Sequence, residues 1–232
     1  LKARAERIFD EVEGAARELA GKGGRPAELR LAIREMVTHY LLPAVLSRLE
    51  RRCPGTRLSL HELEPRTMVE ALLSDRIDLG YYYAAIPHGG LSSGVLGRRS
   101  SHGYAAPSLL RRLGRPRTAR QTLRLPFVAP RPFEADPALP SADGFPDQRL
   151  HRDIRYRAEL LETHRRLALQ GLCAAVLPDG VVKEEQKRRR LIRLPGPRLG
   201  RELYFFKRKG RNLPAVAGAI NVGLKRALAR WG

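Results

Sequence analysis

Histidine and cysteine are the side chains of this 232-residue sequence best suited to metal or covalent chemistry, and their spacing supports neither. His39, His61, His88, His102, His151 and His164 are scattered, with no pair four residues apart and no companion carboxylate motif that would grip a metal from one helix face. Cys53 and Cys173 lie far apart and outside metal-ligand spacing to any histidine. A zinc knuckle and a disulfide framework are therefore excluded, and both thiols are expected to be ordinary core residues. The run Gly171-Leu172-Cys173-Ala174-Ala175 lacks the second glycine of a nucleophile elbow and is apolar around the thiol. No phosphate cradle is expected either, because Gly21, Gly23 and Gly24 precede a strand instead of following one. The chain is expected to be no enzyme and to need no metal or cofactor.

The other chemically notable feature is charge. Forty-four Lys and Arg against 24 Asp and Glu give a formal net charge of +20, which favours polyanions through phosphate contacts. Within residues 98–131 stand Arg98, Arg99, Arg111, Arg112, Arg115, Arg117, Arg120, Arg124 and Arg131 with no acidic residue among them. Two readings stay open: a nucleic-acid contact there, or a solvated surface that follows from arginine-rich composition. Residues 183–193, which contain Lys187, Arg188, Arg189 and Arg190, read as a solvated segment.

The elements that would position these groups follow from periodicity. Leu1, Ala5, Ile8, Val12, Ala15 and Leu19 recur at steps of three and four, an apolar seam among charged neighbours that suits a two-stranded coiled coil. Gly21, Gly23, Gly24 and Pro26 then read as a hinge that frees this helix from the rest of the chain. Leu29, Leu31 and Ile33 alternate as a strand, and Leu42, Val45, Leu46 and Leu49 have helical spacing. Strand then helix repeats, with Leu58, Leu60 and Leu63, then Val69, Ala71, Leu72 and Leu73 as a buried helix face, then a strand over 77–81. This alternation predicts a mostly parallel sheet covered by helices. Further strands are expected near Tyr104 and at 126–129, 154–156, 172–177 and 203–206, with helices at 108–113, 158–170 and 213–231. Residues 130–148, rich in Pro, Asp and Gly, read as a long surface loop. No window approaches the roughly 18 apolar residues of a membrane span, so a cytoplasmic protein with no membrane partner is expected. The sequence opens at Leu1 without an initiator methionine, and further sequence upstream is expected.

Several stretches resemble the effector-binding domain of LysR-type transcription regulators. LRLAIREMVTHYLLP at 29–43 is similar to that family's opening strand and helix, and Cys53-Pro54-Gly55 stands at its turn into the second strand. LHELEPRTMVEALLSDRIDLG at 60–80 is similar to its next strand, helix and strand. ALQGLCAAVLP at 168–178 resembles its helix, glycine turn and strand, where Gly171 would end the helix in a left-handed conformation. The matches span nearly the whole chain in the family's order.

The resemblance implies an α/β fold of two Rossmann-like lobes, of the type II periplasmic-binding-protein class, preceded by a linker helix. It implies a dimerising linker at 1–20, a hinge at 21–28, lobe I from 29–96 and 194–232, and lobe II from 97–193. It implies an effector held between the lobes, allosteric transmission to a winged helix-turn-helix domain absent from this sequence, and assembly as a homodimer or homotetramer. A periplasmic-type solute-binding protein shares the fold and is the alternative. Where the family commonly holds its effector with small hydroxyl residues, this chain departs: Arg34, Glu35, Met36 and Thr38 follow the first strand, Pro65 and Arg66 the second, and Tyr83 the third, while a PRPF turn supplies Arg131 and Phe133. Three guanidiniums beside Tyr83 and Phe133 would suit a small anionic molecule with an apolar body, an aromatic acid for example. Against this stands the reading that the arginines point to solvent or pair with Glu35, Glu62 and Glu64. In a third reading Arg34 and Met36 fill the cleft and no effector binds.

Overall fold

Leu29 and Leu31 are almost fully buried on either side of half-buried Arg30, and Ala32 and Ile33 after them are buried as well, so the strand alternates at its start and is buried on both faces at its end. This strand is β1 (Glu28–Ala32), the first element of a computed structural model that describes residues 28–131 and 142–231. The expected linker helix at 1–20, all but the last residue of the hinge, and Phe133 lie outside the described residues.

After β1 the chain makes a π-helical turn (Val37–Leu41) and continues as α1 (Leu42–Arg52). Pro43 has no N–H to bond the preceding turn, and the wide turn stands just ahead of it. Leu41, Leu42, Val45 and Leu49 form the buried stripe of this helix. β2 (Arg57–His61), α2 (Pro65–Leu73) and β3 (Leu79–Tyr82) complete the expected repeat. The buried face of α2 is Met68, Ala71 and Leu72, whereas Leu73 is 37% exposed and Val69 half-buried. Adding Met68, three and four residues before those two, rotates the stripe away from the face read in the sequence.

β4 (Leu91–Ala105) is a 15-residue strand, of which only the end near Tyr104 was expected. Next come α3 (Pro107–Leu113), a short α4 (Ala119–Thr122), β5 (Pro126–Ala129), β6 (Asp153–Arg157), α5 (Leu161–Leu169) and β7 (Ala174–Pro178). Gly171 follows α5 at φ +69, the left-handed turn expected there, and a Cβ would clash with Ser108 Oγ. The segment read as merely solvated begins as a short helix, α6 (Lys183–Lys187), with Glu185 buried. β8 (Ile192–Arg193), β9 (Leu199–Arg208) and α7 (Ala215–Ala229) close the fold.

Two units form. The first comprises residues 28–98 with Glu202–Arg230, and the second 99–131 and 142–201 with Trp231. β4 takes the chain out of the first unit and β9 brings it back. The first unit resumes at Glu202, later than the Leu194 expected, and Leu194 packs in the second unit's core with Ala105, Leu109, Phe127 and Val176. In the first unit the strand order is β2-β1-β3-β9, with β1 parallel to β2 and β3, and β9 antiparallel to β3. In the second the order is β4-β7-β5-β6, with β8 also on β4. Here β5 is parallel to β6 and β7, while β4 is antiparallel to β7 and β8. The sheets are therefore mixed, and the antiparallel members are the long strands that change units.

Part of the expected loop is core. Phe145 is buried, and Arg152, whose side chain has no exposed surface, donates to Asp143 at 2.6 Å and to Asp147 at 2.8 and 2.9 Å while lying 4.3 Å over the Phe145 ring. Cys173 is fully buried and desolvation pushes its thiol up to about 11, which disfavours the thiolate at neutral pH. Cys53 is only half-buried, a departure from the expected core thiol: it ends α1, its N–H donating to Leu49 O at 2.7 Å.

Candidate functional site

In the first unit Ala32, His61 and Gly80 stand level across the parallel strands, so the residues that follow the carboxyl ends of β1, β2 and β3 become neighbours. Such strand ends gather ligand-facing loops in open α/β sheets. Arg34 follows β1. Its guanidinium donates through an Nη atom to Glu64 Oε1 at 2.5 Å, and its Nε lies 3.6 Å from Glu62 Oε1. Burial works against the charge, but Glu64 and Glu62 outweigh it and hold the guanidinium above the ordinary arginine value. The Arg34 carbonyl accepts the N–H groups of Val37 and Thr38 at 3.0 and 3.2 Å and the Thr38 hydroxyl at 3.3 Å, which starts the π-helical turn.

The neighbouring candidates divide by exposure. Glu35 is buried and its N–H donates to Glu62 Oε1 at 3.2 Å. Met36 is 4% exposed and belongs to the core. Thr38 is half-buried. Pro65, half-buried, opens α2 where a missing N–H costs nothing. Arg66 has 86% of its side chain exposed and lies 3.7 Å from Glu70, one helical turn on. Tyr83 is half-buried, with its ring 6.0 Å from that of Tyr82. Arg131 belongs to the second unit, is 71% exposed and lies 3.9 Å from Glu159.

Arg34 pairs with Glu62 and Glu64, whereas Arg66 and Arg131 are largely exposed to solvent, 3.7 Å from Glu70 and 3.9 Å from Glu159. Glu62 and Glu64 are the site members that sequence reasoning did not choose as ligand residues. Their signal was the Glu-Leu-Glu-Pro run between β2 and α2, level with Arg34 once the strands are in register. The cluster offers one cation beside two carboxylates, Glu62 and Glu64, each about half exposed. It can accept hydrogen bonds from a cationic group, or accept an anion if Glu64 swings away from Arg34.

No group of three His, Cys, Asp or Glu among the described residues is placed to hold a metal. Among the described residues no helix is long and apolar enough to cross a membrane.

Comparison with known proteins bears on this architecture. The family model described as the LysR substrate binding domain matches residues 22–224. The chain belongs to this family. Among curated relatives, the uncharacterized HTH-type transcriptional regulator YfiE of Escherichia coli strain K12 is 33% identical over 103 residues, covering 44% of this chain and 34% of YfiE. The chain spans between about a third and about half the length of the curated relatives it matches. Among solved structures, CrgA of Neisseria meningitidis, described as a LysR-type transcriptional regulator, superposes with a TM-score of 0.72 at 20% identity, over 99% of this chain and 77% of CrgA. Full-length LysG of Corynebacterium glutamicum, described with bound effector Arg, gives a TM-score of 0.68 at 17% identity, over 99% of this chain and 76% of LysG. These likenesses establish the mixed α/β fold of LysR substrate-binding domains, of the type II periplasmic-binding class. The LysR match favours a regulator's effector-binding domain over the solute-binding alternative.

Proposed function

We propose that this LysR domain senses a small-molecule effector at the strand ends of its first unit and passes the binding event to a DNA-binding domain elsewhere in the whole protein. The observation that carries the reading is the parallel register that brings Arg34, Glu62, Glu64, Pro65 and Tyr83 to one end of β1, β2 and β3. That the ligand lies between two lobes, with Arg131 and Phe133 opposite, rests on the family resemblance. So does transmission, in which a ligand preferring one arrangement of the lobes shifts the population of the linked DNA reader. A homodimer or homotetramer joined through the 1–20 seam, in the cytoplasm, is part of the same proposal.

For ligand class, Arg34 supports a small anion gripped by the guanidinium fork. A second reading is a ligand of both signs, favoured by the Glu64 and Glu62 carboxylates at 2.5 and 3.6 Å from Arg34. LysG, described with bound effector Arg, offers a precedent for such a ligand in this fold.

A thermal-shift panel of aromatic carboxylates, phosphate esters and amino acids separates these readings. A bound effector raises the melting temperature by mass action, with about 2.7 kcal/mol expected at a hundred times Kd. Arg34→Ala should abolish a shift given by carboxylates, and Glu64→Gln should weaken one given by amino acids while leaving or improving one given by simple carboxylates. If no compound shifts the protein and Arg34→Ala leaves every result unchanged, the strand-end site is wrong.

A further inference from the structure

The second unit contains a cavity of about 320 Å³ lined by Arg115, Pro116, Ile192, Arg193, Leu194 and Pro195. Its volume lies at the lower end of the range of about 300–1,000 Å³ typical of small-molecule sites. Two guanidiniums and four apolar residues line it, and no carboxylate does. A smaller cavity of the same unit differs: Arg165 there pairs with Glu162 and Glu185, and Arg166 with Glu162.

The walls are fixed from below. β8 pairs with β4, Tyr104 level with Arg193, and the Leu194 N–H donates to Gly103 O at 2.9 Å. Leu194 and Pro116 are buried. Arg193 donates to His102 Nε2, a ring nitrogen that must accept because a guanidinium only donates. The ring proton then sits on Nδ1 and donates to Asp179 Oδ1 at 2.7 Å, where the Tyr104 hydroxyl also donates at 2.8 Å. A buried histidine thus holds Arg193 from behind, using one of its five N–H donors. Arg115 is exposed and has no carboxylate partner among the described residues. One guanidinium is oriented and the other unclaimed by those carboxylates, at the rim of a cavity whose floor is apolar.

We infer that the second unit carries its own oxyanion pocket, in which Arg115 and Arg193 hold the carboxylate or phosphate of a small molecule whose apolar body lies on Pro116, Ile192 and Leu194. Ordering of Arg193 before the ligand arrives lowers the entropy cost of binding. The pocket lies wholly within the second unit, so it stands or falls independently of the strand-end site in the first.

Isothermal titration of the 232-residue protein with benzoate and with phenyl phosphate tests it. Saturable binding of one of them is expected, and which one binds tells carboxylate from phosphate. Arg115→Gln should weaken that binding about tenfold, the scale of one charge-assisted contact. Arg193→Lys should weaken it too, by breaking the fork geometry. Arg120→Gln, on the same arginine-rich stretch but outside the cavity, should leave it unchanged, and the titrations are repeated in an Arg34→Ala background, where the strand-end site of the first unit no longer contributes. Failure of both probes to saturate would overturn the pocket. So would an equal loss with Arg120→Gln, which marks a diffuse basic surface, or the loss of saturable binding in the Arg34→Ala background, which marks the strand-end site as the one titrated.

Discussion

Arg152 has none of its side chain exposed and satisfies two aspartates, one of them also buried. Removing it strands Asp143 as a buried charge without its cation, so Arg152→Ala should cost about 3–5 kcal/mol in urea unfolding. Asp78, 5% exposed, plays the complementary part in the first unit, accepting from the Arg30 backbone at 2.7 Å, from its guanidinium at 3.0 and 3.1 Å, and from Arg211. Burial alone would raise its carboxyl, but the Arg30 hydrogen bonds and the Arg211 charge outweigh it and hold the carboxyl below the ordinary aspartate value. A carboxyl depressed by folding stabilises the protein above its unfolded pKa and loses that contribution as pH falls through the folded one. Stability should therefore drop as pH falls below about 4. Asp78→Asn should cost about 2–4 kcal/mol at neutral pH, and the gap to the parent should close in acid when urea midpoints are followed against pH. Little of this was visible in the sequence. Arg34, Glu62 and Glu64 are close only because β1 and β2 pair in one particular register, and a two-residue slip would part them.

Among the elements, α7 shows how environment sets the sign of a glycine substitution. Gly223 faces α1, and a Cβ there would stand 2.6 Å from Val45 Cγ1. Gly218, exposed in the same helix, would meet nothing within 4 Å. Gly223→Val should destabilise by about 1–3 kcal/mol through overpacking, whereas Gly218→Ala should stabilise by about 0.5–1 kcal/mol through helix propensity. Thermal melts of the two variants should move in opposite directions. β1 and α1 of the first unit were readable because apolar residues recur in each at its natural period. β4 was not, since its sequence, LSSGVLGRRSSHGYA, carries small and polar residues at positions that are buried. Ser101 and His102 are 1% and 2% exposed, and Gly94 sits where a Cβ would stand 2.6 Å from the Phe205 ring. A strand stabilised by neighbouring rings and buried hydrogen bonds gives no alternation to read.

At the scale of the molecule, the apolar seam at 1–20 predicts assembly. Deleting residues 1–20 should lower the mass measured by light scattering to that of a monomer, with the melting temperature of the remaining domain little changed; an unaltered mass would place the dimer contact elsewhere. The sequence by itself determined that this is an α/β effector-type domain of the LysR family, because backbone period and motif order are local properties that survive without coordinates. Only the tertiary structure decided the return to the first unit at Glu202, the mixed sheets, and which arginines remain available. Arg34, Arg66 and Arg131 lie beside carboxylates while Arg115 has none among the described residues, and that difference is set by which distant residues the strand register and loops bring within a few ångströms.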